Sequence, residues 1–511
     1  MTGSLGAALS IASGGIANID SQLALVSQNI ANASTPGYAN EVANQQNLTV
    51  DGIGMGVRTE ATTLATNAAL QAQTQTLAAT VSSLTTQQTA LQALDSAQGT
   101  PGAGTDLGSL VAGLTNRFST LLNDPSNQTA QSAVVGAATT LASGINALSN
   151  AYTAQRNTAQ TNLVSEVASA NQALSQIGAL SDKIVSLKAE GQSTADLENQ
   201  RNAAVQTLSG LVNVKTMANA NGDLLVFTPS GLSLPTRATT GPFSIANANI
   251  SPGASYNTGT VPGVMLNGQD VTGQVQGGQI GANIALRDTT LPTYQSELDE
   301  FSQTLATRFS AQGLNLFTDP SGNIPAASGP PVQSNYVGFS GDIQVNPAVI
   351  ATPSLVRDGT QAVAGSPTGA SAFTPNPAGG PAGFSTLIVR VLNFAMGATA
   401  QNGVTQPPPN LIGLGPAGNL GAPFGAPQAI SDFASAIVGS QAQDSATVTA
   451  NLQTETAVQT SLTAQLSSQT GVNMDQQMGS VVALQNAYGV NARIIAAVQS
   501  MWTQLLAAVP N

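Results

Sequence analysis

The sequence contains neither cysteine nor histidine. That excludes disulfides, thiolate nucleophiles, zinc sites of the Cys/His type and every Ser-His-Asp arrangement. Charge is nearly as scarce. Asp, Glu, Lys and Arg make up 7% of the 511 residues, against about 25% in an ordinary globular protein. The net charge is −12, and the ten arginines and three lysines stand singly between Arg58 and Arg493. With no basic cluster to neutralise phosphates, nucleic acid is excluded as a partner. No run approaches the ~20 apolar residues of a membrane-spanning helix, so no membrane insertion is expected. Leu5 to Ala17 is apolar enough for a signal-peptide core, yet such signals begin with positive charge, and the first basic residue is Arg58. An exported chain would therefore be expected to keep its N-terminus uncleaved.

Hydrophobic residues make up 41% of the chain, enough to build real cores, while Gln, Asn, Ser, Thr, Ala and Gly fill the places charges normally take. Two readings fit such surfaces: faces meant for neighbouring molecules, or the neutral polar coat of a secreted protein.

The sharpest pattern lies at the two ends. Leu5, Leu9, Ala12, Ile16, Ile19, Leu23, Val26 and Ile30 alternate at spacings of four and three, a heptad seam with every a and d position apolar. Val481, Leu484, Tyr488, Asn491, Ile495, Val498, Trp502 and Leu505 repeat the pattern at the other end, with Asn491 as its polar interruption. A buried Asn costs stability and can fix register. Neither seam is flanked by the Glu/Lys pairs that keep an isolated coiled coil soluble, so each is expected to await a partner.

Between the ends, helical spacing recurs around Leu77–Leu94, Leu110–Leu121, Val134–Leu187, Leu197–Leu211 and Leu291–Phe317, which reads as an antiparallel helical bundle. Val212–Leu234 and Val261–Arg287 alternate like strands around Asn221-Gly222 and Asn267-Gly268, favoured hairpin turns. From Asp319 to Pro427 the chain is rich in Pro and Gly, with strand-like pieces at Tyr336–Val345 and Thr386–Leu392. Helical pattern resumes near Ile430. The fold class expected is mainly α with a β-rich insertion, in a discontinuous multidomain chain. Residues 1–75 and 445–511 would form a terminal coiled-coil domain. Residues 76–318 and 428–444 would form a helical bundle with small β elements at about 212–287, and residues 319–427 a β insertion.

After the first seam comes Asn29-Ile30-Ala31-Asn32-Ala33-Ser34-Thr35-Pro36-Gly37-Tyr38. Pro36 disfavours helix at Thr35, Pro36-Gly37 suits the centre of a type II turn, and Tyr38 is placed to anchor the turned chain on the helix. Asn29, Asn32, Thr35, Pro36, Gly37 and Tyr38 together resemble the N-terminal signature of the flagellar rod, hook and hook-associated axial proteins. The C-terminal Leu484-Gln485-Asn486-Ala487-Tyr488 and Asn491-Ala492-Arg493 resemble the same family. Gly471-Val472-Asn473-Met474-Asp475 is similar to its hook-associated members, although Gln476 and Gln477 stand where acidic residues are frequent. Asp196 to Arg201, Gly278 to Leu298 and Pro353 to Gly359 are further islands of resemblance.

That resemblance implies a structural subunit joining hook to filament by ring assembly at the distal hook end through its terminal helices. The partners it implies are copies of itself, the hook protein, a further junction protein and an export chaperone on the C-terminal helix. The location it implies is the extracellular flagellum. Another axial subunit of hook or rod, and a secreted coiled-coil adhesin, are the alternatives. No catalytic site and no cofactor is expected. Gly52 to Gly56 lacks the strand–helix setting of a dinucleotide site and reads as a loop. Glu297, Asp299 and Glu300 read as a solvated helix side, and Asp319 to Asn323 as a turn without the acidic twelfth position of a calcium loop.

Overall fold

The computed structural model describes residues 2–50, 53–99, 104–326 and 329–507. The N-terminal heptads form α1 (Thr2–Asn32), which stops ahead of Pro36. An antiparallel ribbon follows, β1 (Glu41–Val50) with β2 (Ile53–Leu64). Four helices come next: α2 (Ala68–Gln98), α3 (Leu107–Asn123), α4 (Gln128–Ala189) and α5 (Ala195–Leu211). Asparagine or aspartate starts the first three of these. Asn67, Asp106 and Asn127 each accept a hydrogen bond from the amide three residues on, satisfying a first-turn N–H that has no helical partner. With 62 residues, α4 is about 93 Å long at 1.5 Å per residue. It ends at Gly191, φ +70°, where the Gln192 amide reaches back to the Leu187 carbonyl at 2.9 Å, the closure glycine permits at a helix end.

Two small sheets follow, β3 (Lys215–Ala218), β4 (Leu224–Phe227) and β5 (Ser233–Leu234), then β6 (Phe243–Ser244), β7 (Met265–Leu266) and β8 (Gln269–Asp270). Asn267-Gly268 joins β7 to β8 with both φ values positive, 50° and 84°, as a type I′ turn requires. The rest of the expected strand region, from Gly278, is helical: α6 (Gly278–Ala285) runs through a π turn, Leu286–Thr290, into α7 (Leu291–Ala311). Pro292 cannot give its N–H to the carbonyl four residues back and its ring crowds that group, so the wider turn falls where an α turn would be strained.

The Pro/Gly-rich segment holds β9 (Phe317–Thr318), α8 (Phe339–Asp342), β10 (Gln344–Val345), α9 (Pro347–Ala351), α10 (Leu355–Asp358), α11 (Thr386–Arg390) and a second π turn, Val391–Ala395. Then come β11 (Thr399–Gln401), β12 (Val404–Thr405), β13 (Ile412–Leu414) and β14 (Leu420–Gly421), before α12 (Ile430–Thr470) and α13 (Met474–Ala507) close the chain. Helices thus dominate, with small scattered sheets. Two strand-like pieces differ from expectation. Most of Tyr336–Val345 is turn and short helix, and Thr386–Leu392 is helical. In the latter, Leu387, Ile388 and Val391 are all fully buried at a spacing that suits one side of a helix. Gly52–Gly56 also departs from expectation. Ile53 to Gly56 belong to β2, while Asp51 and Gly52 lie outside the described residues.

Two cores lie along α4. The first joins α3, the front of α4, α7 and the start of α12 to Tyr336, Phe339, Val356, Phe373 and Leu387 of the 319–427 segment. That segment therefore shares the bundle's core. Phe301 and Phe433 meet edge-on at 5.5 Å, and Phe309 meets Phe317 likewise. The second core joins the back of α4 to α5, β4–β7 and α6. The helices α2 and α12 run without a break past residues 75 and 445, from the bundle toward the chain ends.

Candidate assembly interface

The two ends meet as one helix pair, α1 against α13. Gly15 lies opposite Asn491, whose side-chain oxygen would stand 3.2 Å from a Cβ on residue 15, and Gln477 at the start of α13 reaches Asn40 just beyond α1. The helices are therefore antiparallel. Ala12, Ile19, Val26 and Val498 are buried along the seam. Leu5, Ile16, Leu23, Ile30, Val481, Leu484, Asn491, Ile495 and Leu505 are half-buried. Leu9, Tyr488 and Trp502 remain exposed, at 37%, 44% and 41%. Of the 34 residues of α13, Gln477 and Val498 are buried. The seam is occupied but not closed. Asn491 donates to the Ala487 carbonyl at 3.1 Å and fills the space that Gly15 leaves free. That Gly15 contact was not anticipated from the heptads.

The Asn-Ile-Ala-Asn…Thr-Pro-Gly-Tyr segment forms a polar node at the foot of this pair. The Asn32 side chain donates to the Gln28 carbonyl at 3.1 Å and accepts from Thr35 Oγ1 at 3.3 Å. Gly37 has φ +78°, and the Tyr38 amide donates to the Thr35 carbonyl at 3.2 Å, so Pro36-Gly37 makes a type II turn. Asn29 is 1% exposed. Its Nδ2 donates to the Glu41 carbonyl at 2.9 Å, while its Oδ1 accepts from the Glu41 amide at 3.0 Å and the Tyr38 hydroxyl at 3.2 Å. Asn199 of α5 does the same one residue pair earlier. It accepts from the Ala39 amide at 2.9 Å and donates to the Ala39 carbonyl at 3.0 Å. Between them, the Asn40 amide donates to the Thr470 carbonyl at the end of α12, at 2.7 Å.

Residues 39–41 are thus gripped from α1, α5, α12 and α13 at once. Unpaired buried amides are costly, and here two asparagine carboxamides supply both donor and acceptor in place of a neighbouring strand. The Glu41 carboxyl, also buried, is pushed upward by burial and by Asp196, against the pull of its hydrogen bond from Asn199. Burial foremost, then Glu41, raises the Tyr38 hydroxyl. Asn199, Thr470 and the β1–β2 ribbon were missed as parts of this site. Asn199 did lie within the Asp196–Arg201 island, beside Arg201, which is buried and donates to the Gly222 carbonyl at 2.7 Å.

Glu297, Asp299 and Glu300 correct an expectation, since all three are at most 2% exposed. The helix has no solvated side there: every residue from Tyr294 to Ser302 is buried, enclosed by α12, α4 and the 319–427 segment. Asp299 accepts from the Ser340 amide and hydroxyl, the Gly338 amide and Gln295; burial still pushes it up to about 6. Glu300 accepts from the Tyr336 hydroxyl at 2.6 Å and the Asn410 amide at 2.7 Å. Neither oxygen of Glu297 has a partner at full hydrogen-bond geometry, although Gln441 of α12 lies near enough to pull its value down. Burial, with Asp444 adding repulsion, pushes it up to about 8. The first two tie the 319–427 segment to α7, and the third points at α12. Asp319 accepts from the Ser321 and Asn323 amides, as a turn does. Among the described residues no group of three or more Asp or Glu is placed to hold a metal ion. One window within Ile430–Ala507 is long and apolar enough to cross a membrane by length and composition, with mean hydropathy 1.2 and 6% of it buried. The apolar side chains of the terminal pair are open to contact.

Residues 91–323 match the protein family described as the flagellar hook-associated protein FlgK helical domain. Among solved structures, the flagellar hook junction protein FlgK from Burkholderia pseudomallei is 25% identical over 51% of this chain and 47% of its own, with a TM-score of 0.39. The chain thus matches about half the length of that structure. No match is found among curated proteins.

Proposed function

We propose that the chain, whose residues 91–323 match the flagellar hook-associated protein FlgK helical domain, is a structural subunit of the bacterial flagellum. It joins hook to filament as a ring at the distal end of the hook. The observation that carries the reading, beside the family match, is the half-covered α1–α13 pair. Nine large apolar side chains of α13 are exposed in the single chain: Met474, Met478, Val482, Tyr488, Val490, Ile494, Met501, Trp502 and Leu506. Full burial of such a side chain is worth about 1.5–3 kcal/mol. Covering the remaining half of each then contributes about 1 kcal/mol per residue, enough to drive association once the cost of ordering is met.

The organisation fits this use. The terminal pair from residues 1–75 and 445–511 is the assembly part. The bundle of residues 76–318 and 428–444, whose core the 319–427 segment completes, stands beyond it. The node at residues 39–41 fixes the angle between pair and bundle. The partners are further copies of the chain, the hook protein on one side and a second junction protein on the other, with an export chaperone covering α13 before assembly. Export to the flagellum precedes that assembly. The chain performs no catalysis in this role.

Electron microscopy of cells lacking the gene tests the reading, with the medium assayed for released flagellin. Bare hooks and spilled flagellin are expected. Missing hooks would make the chain a rod or hook subunit, and intact filaments would favour a secreted adhesin.

A further inference from the structure

Each terminal helix keeps a face that the described chain leaves uncovered. On α13, Met478, Val482, Val490 and Ile494 lie on one i, i+4 row, with Asn486 as its polar member between the two valines, and are 41–56% exposed, forming the kind of ridge that helices pack into grooves. Arg493, also exposed, stands beside that row and is the one basic residue of α13. On α1, the face turned from the seam carries Ser10, Ser13, Ala17, Ala24 and Ser27, all exposed and all small. Asp20, exposed among them, is the one charged residue of α1.

We infer that the α13 ridge of one copy docks along the small-residue face of α1 on a second copy, with Arg493 meeting Asp20. The inference rests on the junction reading and specifies its contact. Ridge and small face point away from each other within one copy, because α1 and α13 already meet through the seam. They can engage between copies. A two-fold dimer would set ridge against ridge; a head-to-tail contact sets ridge against small face and repeats into a ring or helix.

Charge selects the occupant. An arginine taken from water into apolar contact needs a carboxylate. The acidic residues on this helix pair are Asp20 and Asp475. Asp475 is eighteen residues from Arg493, about 27 Å along α13. Since Asn491 faces Gly15, Arg493 lies level with about residue 13 of its own α1. Asp20 is seven residues further, so neighbours staggered by about 10 Å bring the two together.

Charge reversal in cells lacking the gene provides the test. Arg493→Asp or Asp20→Arg alone is expected to reduce filament-bearing cells by at least about tenfold, through like-charge contact. The double reversal is expected to recover most of the loss. Circular dichroism and the exported amount must be unchanged in each variant. Because the chain has no cysteine, a second measurement is clean: Ile494→Cys with Ala17→Cys should give a disulfide between copies in isolated hooks. Normal filaments in the single variants, no recovery in the double, or no cross-link would each overturn the pairing. Where a reversal prevents folding or export, the cross-link decides. The junction reading itself stands or falls on the bare-hook phenotype of the deletion strain.

Discussion

Replacing Glu297 with Gln should stabilise the bundle at alkaline pH, a sign opposite to that of most buried substitutions. The carboxyl is 1% exposed, neither oxygen has a well-formed hydrogen bond, and repulsion from Asp444 of α12 outweighs the pull of Gln441 beside it. Its value rises from 4.5 to about 8 on folding. A raised acid favours the folded state most when protonated. Its contribution is therefore fully present below pH 4.5 and is lost as pH climbs through about 8. At ~1.4 kcal/mol per unit the ceiling is about 5 kcal/mol, and local relaxation brings the expected loss nearer 2–3 kcal/mol. Glu297→Gln keeps the shape and removes the ionisation.

Guanidinium unfolding followed by far-ultraviolet circular dichroism, from pH 6 to 9, measures this. Asp299, raised to about 6, titrates at the lower end of that range in both proteins and cancels in their difference. The range clears Asp223, Asp270 and Asp358, which are held below the ordinary value. Glu41, Glu166 and Glu300 are raised too, so the difference between the two proteins is the readout. Wild type should lose stability across the range relative to the variant. Parallel curves would refute the reasoning. Asp444→Asn, which removes the repulsion and leaves Glu297 in place, should shrink the difference without abolishing it.

Asn29→Ala strips both hydrogen bonds from the Glu41 backbone and should cost about 1–3 kcal/mol of local stability. Faster hydrogen exchange in residues 5–45, with the bundle unchanged, is the expected pattern; a uniform loss over the whole chain would contradict it. Gly15→Val forces Asn491 aside and should loosen the α1–α13 pair, seen as earlier proteolysis within α13. Unchanged cleavage would mean that the contact does not set the register. Ile495→Asp and Trp502→Asp should leave the bundle folded by circular dichroism yet abolish incorporation at the hook end. Normal incorporation would remove the seam from the assembly surface.

What could be read in advance depended on whether a pattern reports local geometry or its surroundings. The seams were legible because sixteen residues at fixed heptad spacing leave one face for a partner. The turn at Pro36-Gly37 was legible because proline and glycine restrict their own backbone. The β1–β2 ribbon was not. Glu41-Val42-Ala43-Asn44-Gln45-Gln46-Asn47 shows no sustained alternation, since a two-stranded ribbon open to solvent has little apolar face to display; Val42, Leu48 and Val57 are exposed. Glu297, Asp299 and Glu300 failed for a different reason. Spacing divides a helix into two sides, and nothing local says that α7 is enclosed on nearly every side, with 16 of its 21 residues buried. The Pro/Gly signal located the 319–427 loops but could not reveal that Tyr336, Phe339 and Phe373 complete the bundle core.

The same contrast explains how one chain can be both firm and ready to assemble. In α4, 23 of 62 residues are buried, and both hydrophobic cores run along it. In α13, two of 34 are buried. Local opening free energy follows buried apolar contact, so the terminal pair should open well before the bundle does. Charge scarcity has a matching consequence. On surfaces of Ser, Thr, Gln and Asn, side-by-side copies meet with little like-charge repulsion and little desolvation of ions. The few charges that remain then decide which faces can meet. An interface built this way draws its energy from side chains left half covered in the single chain and its register from single polar groups. Asn491 sets the register within a copy, and Arg493 with Asp20 would set it between copies. Weakening the former should therefore disorder the pair before assembly, whereas reversing either of the latter should leave the pair ordered and block its docking.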